Sequence, residues 1–183
     1  MNNFKFFRTA VRDYRVGALT TSSKYVIRKI IKELADRKFI IEYGAGDGVI
    51  TKELLKHLPL DGRVVAIELN KDLFNELKKI KDKRLTIING DIIEISKDLA
   101  QFNLPQVDAV ISGIPFTFLP SEMRRTVVQN TYDGLSNRGL FIVYQYSLLM
   151  KKWLSGVFDK FKSYFEPRNF PPYFIMVGEK KMN

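Results

Sequence analysis

Three acidic residues stand in sequence positions where a carboxylate can meet a ligand: Glu42, Glu68 and Asp91. Each closes a short apolar run. The first run continues into a turn rich in glycine, Glu42-Tyr43-Gly44-Ala45-Gly46-Asp47-Gly48, followed by an apolar-periodic stretch of helical character. Glycine takes positive φ without strain and lets another group approach the backbone closely. A glycine-rich turn followed by an acid some twenty residues later is a nucleoside-binding arrangement. The backbone comes close first, and the carboxylate then takes two ribose hydroxyls. Glu68 lies 24 residues after Gly44.

The spacing G-x-G-x-G is tighter than the dinucleotide pattern G-x-G-x-x-G. Glu42 just before it is unfriendly to a pyrophosphate and suits a cationic or ammonium-bearing ligand. A nucleoside without a phosphate chain fits both features, and S-adenosylmethionine is such a molecule. A tight turn with no ligand and solvated strand-end acids are the plain alternatives. Three such signals at three successive strand ends, in order, favour the ligand.

The elements that must position these residues follow from hydrophobic periodicity. Short apolar runs at 38–43, 63–68, 84–89, 107–112, 140–146 and 173–178 read as strands covered on both faces, with a weaker one at 163–166. Helical patterns fall between them at 49–57, 71–80, 121–135 and 148–161, with a weaker one at 93–102. Asn70 suits the cap of the second helix, and Pro120 with Ser121 the start of the third. This alternation implies an α/β fold: a doubly wound, mostly parallel sheet with right-handed crossovers, closed by an antiparallel hairpin. In such sheets ligands bind beyond the carboxyl ends of the strands. The fourth strand ends in Ser112-Gly113-Ile114-Pro115-Phe116 and the fifth in Tyr144-Gln145-Tyr146-Ser147.

The chain has 183 residues, enough for one domain over 1–183, with N-terminal basic segments over 1–35 and a cofactor-binding core over 36–183. It has no cysteine and a single histidine, His57, on an expected surface helix, so no metal site is expected. Net charge is +10, which favours polyanions: an anionic membrane surface or nucleic acid. Residues 1–37 hold nine basic and three acidic residues, six of those ten charges. Within them Phe4, Phe7, Val11 and Tyr14 recur at helical spacing, and Lys5, Arg8, Arg12 and Arg15 follow one residue on. As an amphipathic helix, this segment sets an apolar stripe beside a basic one, as interfacial helices do; a lid over the cofactor cleft is the other reading. With no signal-peptide pattern and no apolar run near the ~20 residues of a spanning helix, the expected location is cytoplasmic, peripherally associated with the inner face of the membrane.

The stretches "IIEYGAGDGVITKELL", "VVAIELN" and "IINGDIIE" resemble the successive cofactor motifs of class I S-adenosylmethionine-dependent methyltransferases. The resemblance implies a seven-stranded sheet with an antiparallel C-terminal strand. It implies that Glu42 and the turn Gly44, Ala45, Gly46 and Gly48 border the methionine moiety. Glu68 and Leu69 would lie at the ribose, Asp91 at the adenine amine and Ser112 beside the cofactor, with Ile92 either on the adenine ring or a plain core residue.

Two subfamilies share these motifs. In the rRNA adenine dimethyltransferases the fourth strand ends in N-[LI]-P-[YF], whose Asn binds the target amine; here that position is Gly113. In the bacterial phospholipid N-methyltransferases, which act on phosphatidylethanolamine, the strand ends in S-G-[LI]-P. "VGALTTSSKYVIRKI", "VDAVISGIPFTFLP" and "GLFIVYQYS" resemble their segments. That resemblance implies a phospholipid substrate, with an rRNA adenine as the alternative acceptor; separately, a monomer is the expected state. Candidates for hydrogen bonding, proton relay or cation–π contact with the head group are Tyr14, Tyr25, Phe116, Tyr144 and Tyr146. Arg124, Arg125 and Arg168 are candidates for its phosphate. The gap left by Gly113 is expected to give a methylated head group room to turn.

Overall fold

A computed structural model describes residues 23–182. The amphipathic segment expected around residues 4–15 lies outside them. Seven strands form one sheet: β1 (Phe39–Tyr43), β2 (Arg63–Glu68), β3 (Leu85–Asn89), β4 (Ala109–Ser112), β5 (Leu140–Gln145), β6 (Lys160–Glu166) and β7 (Tyr173–Glu179). Their order is β3-β2-β1-β4-β5-β7-β6. β1 to β5 pair in parallel, and β7 is antiparallel to both β5 and β6. Among the described residues the helices are α1 (Lys24–Leu34), α2 (Val49–His57), α3 (Lys71–Leu77), α4 (Ile92–Ile95), α5 (Ser121–Gly134) and α6 (Lys151–Val157). The strand order reverses between β1 and β4, which places the crevice of this fold there.

Alternation along the strands builds two cores. Ile41, Tyr43, Val65, Val110, Phe141 and Val143 face α5 and α6 and pack with Val127, Val128 and Leu154. Ile40, Val64, Ala109, Ile111 and Ile142 face α1 and α2 and pack with Val26, Ile30, Leu34 and Leu54. β4 and β5 are buried throughout, because both faces are covered. The edge strands β3 and β6 are only partly buried. β6 carries Lys160 and Lys162 on its exposed positions, a charge pattern that discourages edge pairing with another chain.

The caps follow the sequence. Asn70 accepts from the backbone N–H groups of Asp72 and Leu73 at the start of α3, and Pro120 precedes α5. Four elements differ from expectation. The helix expected over 148–161 is cut to Lys151–Val157, and the strand expected over 163–166 gains Lys160 to Lys162. Antiparallel pairing decides this: Lys160 pairs with Glu179 in register, and their side chains form an ion pair of 3.2 Å. The helix expected over 93–102 is split into α4 and a 3-10 turn, Leu99–Phe102, where the Asp98 side chain takes the Ala100 N–H. α3 ends at Leu77, short of Ile80. Among the described residues, no helix is long and apolar enough to cross a membrane.

Candidate functional site

The turn after β1 is held from the neighbouring strand, since the N–H groups of Gly44 and Ala45 both donate to the carbonyl of Ile67 (2.9 and 3.0 Å). Gly44, Gly46 and Gly48 all have positive φ, 71°, 60° and 81°. Their surroundings differ. A Cβ at Gly44 would lie 2.7 Å from Ile114, and one at Gly48 would lie 2.7 Å from Ile80 and 2.8 Å from Leu77. A Cβ at Gly46 would meet nothing within 4 Å. Only Gly46 therefore opens the backbone to a ligand. Gly44 and Gly48 are required by their own φ and by close packing, and Ala45 is buried against Ala66 and Leu77.

Glu68 is buried at the end of β2 and ties the turn to α3. Its Oε2 accepts from the Gly46 N–H and its Oε1 from the Asn70 N–H, both at 2.8 Å. Burial pushes its pKa up, and the N–H groups of Asn70, Gly46 and Leu69 oppose that. A carboxylate oxygen has more than one acceptor position, so each can take a further donor. Asn89 donates to the carbonyls of Glu68 (2.8 Å) and Leu69 (3.2 Å), which locks the end of β3 to the end of β2. Asp91 follows, half-buried, and caps α4 through the Ile93 N–H (3.0 Å). Ile92 is buried in the core on the α5 side, which leaves little of its surface for a ring to stack on.

Glu42 is 1% exposed. Thr51, one turn into α2, donates its hydroxyl to Oε2 at 2.6 Å. Oε1 is buried and has no hydrogen-bond partner among the described residues. Burial, with Glu68 and Asp47 adding like charge, pushes the Glu42 carboxyl up to about 8. A buried carboxyl with an unanswered oxygen suits an ammonium or another positive donor. It stands one strand away from Glu68 and at the end that carries the open Gly46 face. A ligand with a cationic group and a sugar fits these residues.

The acceptor side is built by the ends of β4 and β5. Ser112 is fully buried, and its hydroxyl accepts from the Ile114 N–H (3.4 Å). Gly113 does not leave the expected gap. A Cβ there would fall on the hydroxyl and ring of Tyr144, which is buried against the end of β4. The aromatic candidates separate. Phe116 is fully buried in the core, so the expectation that its ring faces a head group is corrected; its carbonyl accepts from Arg124 Nε at 3.0 Å. Tyr146 is 40% exposed and shares a 2.8 Å hydrogen bond with Thr117. Tyr25 sits in the first turn of α1 with the Arg168 guanidinium 3.9 Å from its ring centre. The arginines expected at a phosphate are engaged elsewhere: Arg124 also binds the Leu119 carbonyl (2.8 Å), and Arg168 is bidentate to Glu166 (2.6 and 2.7 Å). Arg125 is exposed. Among the described residues, His57 bonds its own helix, at the Glu53 carbonyl.

Four residues of the site escape a sequence reading: Thr51, Asn70 as a donor to Glu68, Asn89 and Gln145. Gln145 is buried at the end of β5, accepting from the Phe116 N–H (3.3 Å) and donating to the Ser147 carbonyl (2.8 Å). A lone amide closing the apolar run 140–144 is its only trace in the sequence. Among the described residues, no group of three or more His, Cys, Asp or Glu stands where it could hold a metal ion.

Residues 19–119 match the ribosomal RNA adenine dimethylase family. The ornithine lipid N-methyltransferase of Singulisphaera acidiphila is 27% identical over 173 residues, covering 92% of this chain and 88% of that protein. The ribosomal RNA small subunit methyltransferase A of Mycoplasma capricolum is 34% identical over 103 residues, 54% of this chain and 37% of that protein. The chain thus spans well under half the length of that RNA methyltransferase. Among solved structures, the O-methyltransferase TomG of Streptomyces achromogenes, in complex with SAM, superposes with a TM-score of 0.69 at 16% identity, covering 98% of this chain and 90% of that one.

Proposed function

Since the chain belongs to the ribosomal RNA adenine dimethylase family and is an S-adenosylmethionine-dependent methyltransferase, we propose that it methylates the amine of a lipid head group, phosphatidylethanolamine, at a membrane surface. The cofactor supplies a methyl group on a sulfonium, an electrophile that needs no activation by the protein. The chain's residues bind, orient and exclude water. Glu42 would hold the ammonium of the methionine moiety, Glu68 the ribose hydroxyls and Asp91 the adenine amine, with Gly46 leaving the backbone open between them.

The observation that carries the lipid reading is the contact of Tyr144 with Gly113. An adenine acceptor calls for a side-chain oxygen at the end of β4 to bind the exocyclic amine. Position 113 has none, and the volume such a side chain needs is filled by a phenol. A hydroxyl held there suits a small aliphatic amine. It can accept a hydrogen bond from the amine and aim the nitrogen lone pair at the methyl group. The amine must arrive without its proton, which it gives to water, since no histidine stands near β4 or β5. The match of the ornithine lipid enzyme over nearly the whole of both chains supports the same choice. The family itself supports an rRNA adenine as the second acceptor.

One experiment separates them. The purified protein and labelled S-adenosylmethionine are incubated in parallel with phosphatidylethanolamine vesicles, ornithine lipid vesicles and unmodified rRNA. Label in phosphatidylethanolamine is the expected result. Label in ornithine lipid alone would keep the lipid class and change the head group. Label in rRNA alone would overturn the reading.

A further inference from the structure

The side of the sheet away from the cofactor residues has an aromatic rim. Gln145 of β5, Phe174 of β7 and Phe165 of β6 lie in one row across three strands. The Phe165 and Phe174 rings are 5.1 Å apart, and Phe165 is 58% exposed. Beyond this row the β6–β7 loop carries Phe170, 95% exposed, followed by the exposed Pro171 and Pro172. β6 runs in the same direction as β5, so the loop stands at the carboxyl edge, the edge of Tyr146 and the acceptor site.

The loop is held in shape. The Glu166 carboxylate accepts from the backbone and guanidinium of Arg168. Asn169 donates to the Pro171 carbonyl and accepts from the Ser23 N–H, both at 2.8 Å. Phe170 is thus presented to water by a braced scaffold, and among the described residues it joins no core cluster. Exposed lysines flank the rim. Lys24 follows Ser23, and Lys151 and Lys152 open α6 just after β5, with Lys152 4.6 Å from the ring of Trp153. Glu166, the acid of this loop, is neutralised by Arg168.

We propose that the β6–β7 loop and the start of α6 form a docking surface for an anionic bilayer. Phe170 and Phe165 enter the interfacial layer, and Lys24, Lys151 and Lys152 lie against lipid phosphates. Apolar aromatic tips beside lysines are the composition of membrane-interface contacts, and the positive charge matches an anionic leaflet. This surface would hold the carboxyl edge against the lipid so that a head group reaches Tyr144 without leaving the membrane. The inference rests on the lipid reading above and adds the face that meets the bilayer.

The test uses the full chain with vesicles containing phosphatidylglycerol and phosphatidylethanolamine, and with a short-chain, water-soluble phosphatidylethanolamine. Phe170→Asp is expected to lower vesicle partitioning and methylation of vesicle lipid by about tenfold or more, as loss of a buried aromatic contact implies. Methylation of the soluble lipid and affinity for S-adenosylmethionine are expected to stay unchanged. Lys151→Glu with Lys152→Glu should act in the same direction, and added salt should mimic it. A Phe170→Trp, Trp153→Phe variant should be quenched by brominated acyl chains. Unchanged partitioning of Phe170→Asp, an unquenched Trp at position 170, or a loss confined to rRNA binding would overturn the proposal. If the wild type docks through Phe170 yet methylates no lipid in either form, the substrate reading fails and the docking surface stands. If it methylates soluble lipid while Phe170 is irrelevant to docking, the reverse holds.

Discussion

The carboxyl edge of this sheet has two halves. Around β1, β2 and β3 it is acidic and glycine-rich, with Glu42, Asp47, Glu68 and Asp91. Around β5, β7 and β6 it is aromatic and basic, with Tyr144, Tyr146, Phe165, Phe170, Lys151 and Lys152. The first half is organised by carboxylates bonded to backbone N–H groups, as Glu68 binds Gly46 and Asn70. The second is organised by rings filling space, as Tyr144 does over Gly113. A polar cofactor suits groups whose hydrogen bonds are already fixed, and on the proposed reading a lipid amine would be selected by shape at the other side. If the proposed acceptor is right, the division lets a cofactor half shared with RNA methyltransferases accompany a different acceptor half. Substitutions should therefore affect one half and spare the other.

The largest effect is expected from Gly113→Asn, which forces Tyr144 away. Transfer to lipid should fall by about 100-fold, the size of loss a misplacement of about 1 Å produces. Affinity for S-adenosylmethionine should stay within a few-fold by calorimetry. Adding Tyr144→Ala should restore thermal stability lost by Gly113→Asn and leave transfer low. Full activity of the single variant would show that Tyr144 does not set the acceptor site.

Glu68→Ala should weaken the cofactor by about 1.5–3 kcal/mol, the range for hydrogen bonds to a charged group. Here the docking of vesicles, not the binding of cofactor, is the property that should be spared. Next comes Gly46→Val, for which at least about tenfold weaker cofactor binding is expected, the equivalent of about 1.4 kcal/mol. The backbone strain at its φ of 60° should cost about 1–3 kcal/mol of stability. Gly48→Val, pressed against Leu77 and Ile80, should lose more stability than Gly46→Val in a urea titration. The opposite ranking would break the distinction between the open and the packed glycines.

The finest test follows one proton. The Glu42 pKa is raised in the folded chain to about 8, so the folded state binds more protons than the unfolded one between the ordinary carboxylate range and that value. Stability of the cofactor-free protein is then greatest at low pH on this account. It falls by up to about 1.4 kcal/mol per pH unit through the window and levels off above about 8. Glu42→Gln should remove the slope. If the methionine ammonium meets Glu42, binding near pH 7 should release up to about one proton, measured in buffers of different ionisation heat, and Glu42→Gln should release none. Equal release by both proteins would place the ammonium elsewhere.

Within the cofactor half, much is legible in the amino-acid sequence. Glu42, the glycines, Glu68 and Asp91 each sit at the end of an apolar run, and a parallel sheet brings such ends to one edge. Their sorting is not legible there. That Gly46 is open while Gly44 and Gly48 are packed depends on Ile114, Leu77 and Ile80 arriving from other elements. Thr51 reaches Glu42 only because α2 folds back over β1. In the acceptor half less is legible. Phe116 and Tyr146 have the same aromatic character in sequence, yet one is core and the other rim.

The sequence by itself determined most element types, the alternation that makes the sheet parallel and the cofactor class, which are properties of local pattern, set by side-chain periods and backbone freedom within a few residues. That Gly113 stands where an adenine enzyme has asparagine came from the resemblance to known methyltransferases. Only the tertiary structure decided that Tyr144 fills the place over Gly113, that β6 begins at Lys160 rather than ending a helix, and that Gln145, Phe174 and Phe165 form one row. The reason is register: strand pairing between distant segments fixes which side chains face each other, and local periodicity carries no information about which residue of another strand lies opposite.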